Sequence, residues 1–328
     1  MPEPTSPITL RDIYRARQAI APLVRRTPLV YARDLSAATG ANVYLKLENQ
    51  QETGSFKLRG AANRLMALTP SERQRGVITV STGNHGRGVA YVAQRLGIRA
   101  VICVPELVLP HKVAAMRALG AEVVVHGRTQ DDAERHALEL QTAEGLTLVS
   151  AFDEPYIIAG QGTIGLEILE DLPQVDTVVV PLSGGGLLGG IAVAMKSATP
   201  NIRTVGVSQE RGPAMALSLQ AGAPVPVVEE PSLADSLLGG IGLDNRYTFG
   251  LIRDLVDEVV LLSEAEIAAA MIYALRQEKQ IVEGGGGVGI GALLTHKLSH
   301  LGEQVAVVVS GGNVDLDKLL GLAAKAQA

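Results

Sequence analysis

Thr177-Val178-Val179-Val180-Pro181-Leu182-Ser183-Gly184-Gly185-Gly186-Leu187-Leu188-Gly189-Gly190 is the most informative stretch of this chain. Val178, Val179 and Val180 are apolar at consecutive positions rather than at every second one. A strand of that pattern is covered on both faces, as strands of a parallel sheet are. The glycines after it leave backbone N–H groups bare, and the apolar run from Leu187 opens a helix. Bare N–H groups plus the helix dipole make an anion cradle. One exposed dipole contact is worth only about 0.3–1 kcal/mol, so several donors must act together.

Working outward, short β-branched runs alternate with helical patterns. Expected strands are Val43–Leu47, Val77–Val80, Ala100–Val104, Val123–Val125, Thr177–Val180, Thr204–Val207, Glu258–Leu262 and Val305–Val309. Expected helices are Leu58–Leu68, Gly88–Leu96, Lys112–Leu119, Asp131–Thr142, Leu187–Ala198, Glu264–Gln277 and Ile290–Leu298. Such alternation gives α/β units with right-handed crossovers. The expectation is an α/β chain with two open, mostly parallel twisted sheets flanked by helices. Gly76–Val149 is compact enough to form a sheet of its own, so a small domain (73–152) is inserted into a large one (1–72 and 153–328). Open parallel sheets bind ligands at the carboxyl ends of their strands, which puts the site between the domains.

Composition narrows the function classes. The chain has 328 residues, 47% of them hydrophobic and 19% charged, a globular composition with ample core for two domains. A net charge of −5, no basic run and no Trp disfavour a nucleic-acid partner. The one cysteine, Cys103, lies in the apolar run Val101–Val104 and reads as a buried small hydrophobe, so no disulfide framework is expected. Met1–Pro7 carries no apolar leader and no membrane span is visible, so a cytoplasmic location is the expectation.

Three further segments carry chemistry. In Ser55-Phe56-Lys57-Leu58-Arg59-Gly60-Ala61, Lys57 stands between apolar neighbours at a helix start. A lysine stripped of water becomes a nucleophile near neutral pH, as attachment of pyridoxal phosphate requires; taken alone, a solvated helix-start lysine with Ser55 as N-cap is the plainer reading. Ser81-Thr82-Gly83-Asn84-His85-Gly86 follows an expected strand and offers hydroxyls and bare N–H groups suited to a carboxylate. The plainer reading is a turn using Gly and Asn for positive φ. Ser310-Gly311-Gly312-Asn313 ends the last strand, where the serine hydroxyl can meet an uncharged ring nitrogen. Gly184-x-Gly186-x-x-Gly189 also matches a dinucleotide fingerprint, with Glu210 at a suitable distance for a ribose, which keeps a nicotinamide-dependent dehydrogenase open. Asn245-Arg246 and the acidic run Asp254–Glu258 read as a solvated connection.

Together these motifs resemble the serine/threonine dehydratase family of fold-type II pyridoxal-phosphate enzymes, from Arg26-Thr27-Pro28-Leu29 to Ser310–Asn313 and in family order. The resemblance implies a tryptophan-synthase-β-like fold, pyridoxal 5'-phosphate as cofactor, an amino-acid substrate and a homodimer. It implies Lys57 as the Schiff-base lysine and Cα base, with Phe56 supporting the ring and Asn84 at its hydroxyl. Ser183, Gly184, Gly185, Gly186 and Leu187 would hold the phosphate, Glu283 would lie at the ring edge and Ser310 at its nitrogen. Ser81, Thr82, Gly83 and His85 would hold the substrate carboxylate, with Thr82 also placed where racemases carry an acid/base serine. The implied reaction is β-elimination from a β-hydroxy amino acid to a 2-oxo acid and ammonia, with a racemase as the alternative. Glu210 matches one ligand of a divalent cation bound in some members, but Ala216 occupies the expected aspartate position. Leu233–Gly240, and Glu283 followed by four glycines, look like the hydroxyectoine-utilisation dehydratase branch.

Overall fold

The computed structural model describes residues 8–326. Met1–Pro7, on which the expectation about a leader rests, and the outer ends of the expected large domain lie outside the described residues. The strands are β1 (Leu29–Tyr31), β2 (Asn42–Leu47), β3 (Val77–Val80), β4 (Ala100–Val104), β5 (Glu122–Val125), β6 (Thr147–Leu148), β7 (Thr177–Pro181), β8 (Arg203–Gln209), β9 (Glu258–Leu262) and β10 (Gln304–Val309). They form a six-stranded sheet in the order β1-β2-β10-β7-β8-β9 and a four-stranded sheet in the order β5-β4-β3-β6. Every pairing is parallel except β1 with β2, so helices must cover both faces. β7, the strand of the opening motif, is buried at every position between β10 and β8. Among the described residues no helix is long and apolar enough to cross a membrane.

Two strands, β1 and β6, escape the sequence reading. Both are short edge strands, and β1 presents Val30 and Tyr31 to solvent, so neither carries a buried run. The larger omission is the helix Pro155–Asp171, in which twelve consecutive residues from Ile157 to Ile168 are buried. It is buried all round and interrupted by glycines, so it has no amphipathic period to detect. Its glycines are there for contact. A Cβ on Gly160 would stand 2.7 Å from Arg59 O, and one on Gly162 2.8 Å from Gly190 O. Three helices, Lys57–Met66, Pro155–Asp171 and Gly186–Ala198, thereby cross at backbone distance.

Those crossings fix the two ends of the site relative to each other. The core of the four-stranded sheet takes Leu58, Ala61, Ala62 and Leu65 from the helix before it and Ile157 from the helix after it. The glycine run Gly284–Gly287 is not a loop but the first turn of the helix Gly284–Leu294. A Cβ would drive Gly284 into the Leu233 carbonyl and Gly286 into the Gly311 carbonyl, which explains glycines where helix propensity disfavours them.

Candidate active site

Four strand ends converge on one cleft of about 1950 Å³, lined by Ser81–His85 after β3, Pro105 after β4, Ser183 after β7 and Gly312–Asn313 after β10. Lys57 opens into it from the first residue of the Lys57–Met66 helix. The backbone there is pinned: Phe56 N–H donates to the Ser310 carbonyl at 3.0 Å, and Ser55 bridges Gly311. The Lys57 ammonium donates to the Ala151 carbonyl at 2.7 Å, and its Nζ lies 5.3 Å from the Phe56 ring centroid. Burial pushes its pKa down to about 8, against the opposing pull of the Glu283 carboxylate. The helix-start reading with Ser55 as N-cap fails. Phe56 is the N-cap residue and Ser55 Oγ is buried without a partner among the described residues.

The Ser81–His85 loop turns directly into the helix Asn84–Leu96. Neither Gly83 nor Asn84 has a positive φ, so the plain-turn reading does not account for them. Ser81 Oγ accepts the Gly83 N–H at 3.2 Å, while Thr82 lines the cleft. Asn84 is clamped: its amide donates to Glu283 Oε1 at 2.6 Å and its carbonyl accepts from Asn313 at 2.7 Å. One amide N–H and one lone pair of Asn84 remain for a ligand. Glu283 is buried, and loss of solvent followed by the nearby Asp235 charge raises its pKa to about 7. His85 is buried with Nε2 facing the Val149 carbonyl at 3.3 Å. Burial first, then the Lys57 charge, push its pKa down to about 3, so the ring is neutral.

The glycine loop follows β7 and opens the helix Gly186–Ala198, and each of its glycines has its own reason. Gly185 takes a left-handed conformation, φ 88°, which a side chain disfavours. Gly184 and Gly186 are glycines because Phe152 lies on them: a Cβ on Gly186 would stand 2.8 Å from the Phe152 carbonyl, and one on Gly184 would enter the Phe152 ring. No side chain caps the Gly186–Ala198 helix, so the first-turn N–H groups of Gly186, Leu187 and Leu188 lack intrahelical partners. Of the sequence-read residues, Lys57, Ser81, Thr82, Gly83, Asn84, His85, Ser183 and Glu283 line the cleft. Phe56, Gly184, Gly185, Gly186, Leu187 and Ser310 do not line it: the Ser310 carbonyl accepts the Phe56 N–H, Gly184 and Gly186 lie against Phe152, Gly185 against Met215, and Leu187 is buried in the core cluster on which Phe56 packs.

Other expectations change. Glu210 is exposed, stands 3.6 Å from Lys297 and does not line the cleft, so it serves neither a ribose nor the cleft chemistry. Among the described residues no group of three or more His, Cys, Asp or Glu converges as a metal site. Asn245 is no solvated connector. Its carbonyl accepts the Phe249 N–H at 2.9 Å and its amide donates to Thr248 Oγ1 at 2.8 Å, securing the helix Thr248–Leu255 beside the cleft. Asp153 accepts the N–H groups of Arg246, Tyr247 and Thr248 at 2.7–2.9 Å.

Sequence reasoning also missed a buried ionic cluster behind Lys57. Arg59, 1% exposed, donates to both oxygens of Glu48 and both of Glu167 at 2.7–2.8 Å. Lys46 lies 2.6 Å from Glu167 and donates to the Thr27 carbonyl at 2.6 Å, and Thr27 Oγ1 donates to Glu48. The one available signal was Lys46 and Glu48 flanking Leu47 in and after a buried strand.

Comparison with known proteins bears on the family and the fold. Residues 20–311 match the family described as "Pyridoxal-phosphate dependent enzyme". A putative threonine dehydratase of Sinorhizobium fredii is 52% identical over 95% of this chain and 94% of its own length. An L-threonine ammonia-lyase of Thermotoga maritima is 46% identical over 95% of this chain and 77% of its own. Among solved structures, a threonine deaminase from T.th. superposes with a TM-score of 0.86 at 39% identity, covering 94% of this chain and 99% of that one. Maize serine racemase gives 0.90 at 34% identity, covering 98% of both chains.

Proposed function

Because the chain belongs to the pyridoxal-phosphate dependent enzymes of the serine/threonine dehydratase family, we propose that it removes water from a β-hydroxy amino acid, yielding a 2-oxo acid and ammonia. It is a lyase, its cofactor is pyridoxal 5'-phosphate, and the dinucleotide reading of Gly184–Gly189 is set aside. The residues suit that cofactor. An amine with a pKa of about 8 is partly neutral at working pH and can join an aldehyde, and an uncapped helix start can take a phosphate. We assign Lys57 to the aldehyde, Ser183–Leu187 to the phosphate, Asn84 and Glu283 to the ring edge and Ser310 to its nitrogen. When bound, pyridoxal phosphate acts as an electron sink that acidifies the Cα–H of an amino acid.

The chain's own groups then divide the work. The neutral amine of Lys57 takes the Cα proton, a role its half-buried, depressed amine fits. The Ser81–Gly83 loop, open to the cleft, holds the α-carboxylate through hydroxyl and N–H donors. Neutral His85 neither repels Lys57 nor titrates in the working range. The observation that carries the assignment is Lys57 itself, a desolvated amine facing the same cleft as Ser183 and the Ser81–His85 loop.

Racemisation is the alternative on the same scaffold and would use Thr82 as the opposite-face acid/base. Its β-branch narrows the rotamers available to such a group. Room for a side chain longer than threonine's, a hydroxyectoine-derived one among them, rests on one observation. The cleft wall around Gly239 and Gly240 is open, with only the Glu229 carboxylate 3.9 Å from a Cβ at Gly239. The homodimer, the cytoplasmic location and the 73–152 domain insertion belong to the same proposal. Ammonia and 2-oxo acid release should be followed with serine, threonine and hydroxyectoine-derived amino acids, with chiral analysis of the remaining substrate. Release of both products supports the dehydratase, whereas an inverted amino acid without ammonia means a racemase.

A further inference from the structure

We propose that the Arg87 guanidinium is a subsite for a second, distal carboxylate of the substrate, which makes a dicarboxylic β-hydroxy amino acid the preferred class. For turnover, though not for binding, this rests on the dehydratase reading above. Arg87 lines the cleft together with Lys57 and Asn313. It is half-buried, its Nη1 donates to Asn313 Oδ1 at 2.7 Å, and its Nε is buried without a partner among the described residues. No carboxylate among the described residues lies within ion-pair distance of it. Three arginines buried as far or further are paired, Arg59 with Glu48 and Glu167, Arg64 with Glu154 and Arg203 with Glu258, while Arg276, which does not line the cleft, donates to the Ala323 carbonyl.

An unpaired, partly desolvated guanidinium is costly, and a glutamine could meet Asn313 without the charge. The charge therefore calls for an anionic ligand, and the planar fork of Arg suits a carboxylate. Its placement fits. Arg87 lies in the first turn of the Asn84–Leu96 helix, its N–H donating to the Gly83 carbonyl at 3.1 Å. Helical side chains lean toward the N-terminus, which here borders the cleft. The next residue, Gly88, packs on the Lys57 turn, where a Cβ would stand 3.3 Å from Leu58 N. The Arg87 and Lys57 side chains thus rise from backbones in contact, with the loop assigned to the α-carboxylate preceding Arg87 in the chain. Glu283, the acidic group whose charge acts on Arg87, is hydrogen-bonded to Asn84 instead.

The test is calorimetric binding of succinate and its half-amide succinamate to the holoenzyme, for wild type and Arg87→Gln. Succinate is expected to bind wild type at least about tenfold more tightly, as for one charge-assisted hydrogen bond, and to lose that preference in Arg87→Gln. Equal binding of the two compounds to wild type overturns the proposal, and that comparison needs no variant to fold. A preference that survives in Arg87→Gln overturns it too. In turnover, kcat/KM for 3-hydroxyaspartate should exceed that for 3-hydroxyasparagine, with the ratio falling in Arg87→Gln. If serine, threonine and both of these are left intact, the dehydratase reading fails, while the binding comparison still decides the subsite.

Discussion

Two polar clusters flank the same helical turn, and they are built on opposite terms. Behind Lys57, Lys46, Glu48, Arg59 and Glu167 are at most 5% exposed, and each charge meets an opposite one. In front, Lys57, Arg87, His85 and Glu283 share a cleft with no ion pair among them, and the pKa of each is displaced, all by burial first. The rear cluster is neutral as a set and ties β2, the Lys57 helix and the Pro155–Asp171 helix together. Buried charges fully paired act as scaffold, whereas charges left unmatched beside a cavity mark where a ligand does the matching.

The sharpest way to break this contrast is Lys57→Ala. With Lys57 in the role proposed for it, this change should lower 2-oxo acid release by roughly 10²–10⁴-fold and abolish the yellow absorption of cofactor-loaded protein. Turnover near wild type would end the assignment of the front cluster. Next in size is Glu167→Ala, which leaves Lys46 and part of Arg59 unmatched. Urea unfolding should register a loss of about 3–5 kcal/mol, as expected when one partner of a buried pair is removed. A loss below about 1 kcal/mol would mean the rear cluster is not a scaffold.

A smaller effect concerns pH. The Lys57 pKa of about 8 lies below the ordinary 10.5, so the unfolded chain binds more protons than the folded one between these values. Lys57 therefore contributes a rise in stability as pH climbs through that window. Glu283 holds the Lys57 pKa up, so Glu283→Gln should move it lower. The acylation rate of Lys57 by an amine-reactive probe, mapped by peptide analysis of cofactor-free protein, should reach its plateau at lower pH in that variant. An onset unchanged or moved upward would show that the two groups do not interact. The smallest expectation is an absence of change: the His85 ring should show no titration between pH 5 and 8 by NMR, since its pKa is about 3. A midpoint near 6.5 would place it in solvent rather than in the desolvated front cluster.

Much of this arrangement is legible in the chain. β3, β4 and β9 agree with the sequence pattern to the residue, because short apolar runs bounded by breakers leave little else for a backbone to do. Lys57, the Ser81–His85 loop and the Ser183–Leu187 loop stand out because each breaks the local pattern, with a charge at an apolar helix start or glycines where a helix begins. Arg87 escapes notice because an arginine on a helix looks solvated until a neighbouring segment desolvates it. Asn313 reads only as the end of the segment after the last strand, although its amide bonds Thr53 and Asn84, which lie 260 and 229 residues away in sequence.

The amino-acid sequence by itself determined the α/β alternation and the family, and it singled out the amine proposed to carry the chemistry, since these depend on local pattern and residue type. Only the tertiary structure decided which charges are matched. Lys46, Arg59 and Glu167 come from distant segments that meet where three helices cross at Gly60, Gly160 and Gly190. Pairing depends on angstrom-scale distances between segments far apart in the chain, and burial turns those distances into pKa shifts, so neither is written in any local stretch.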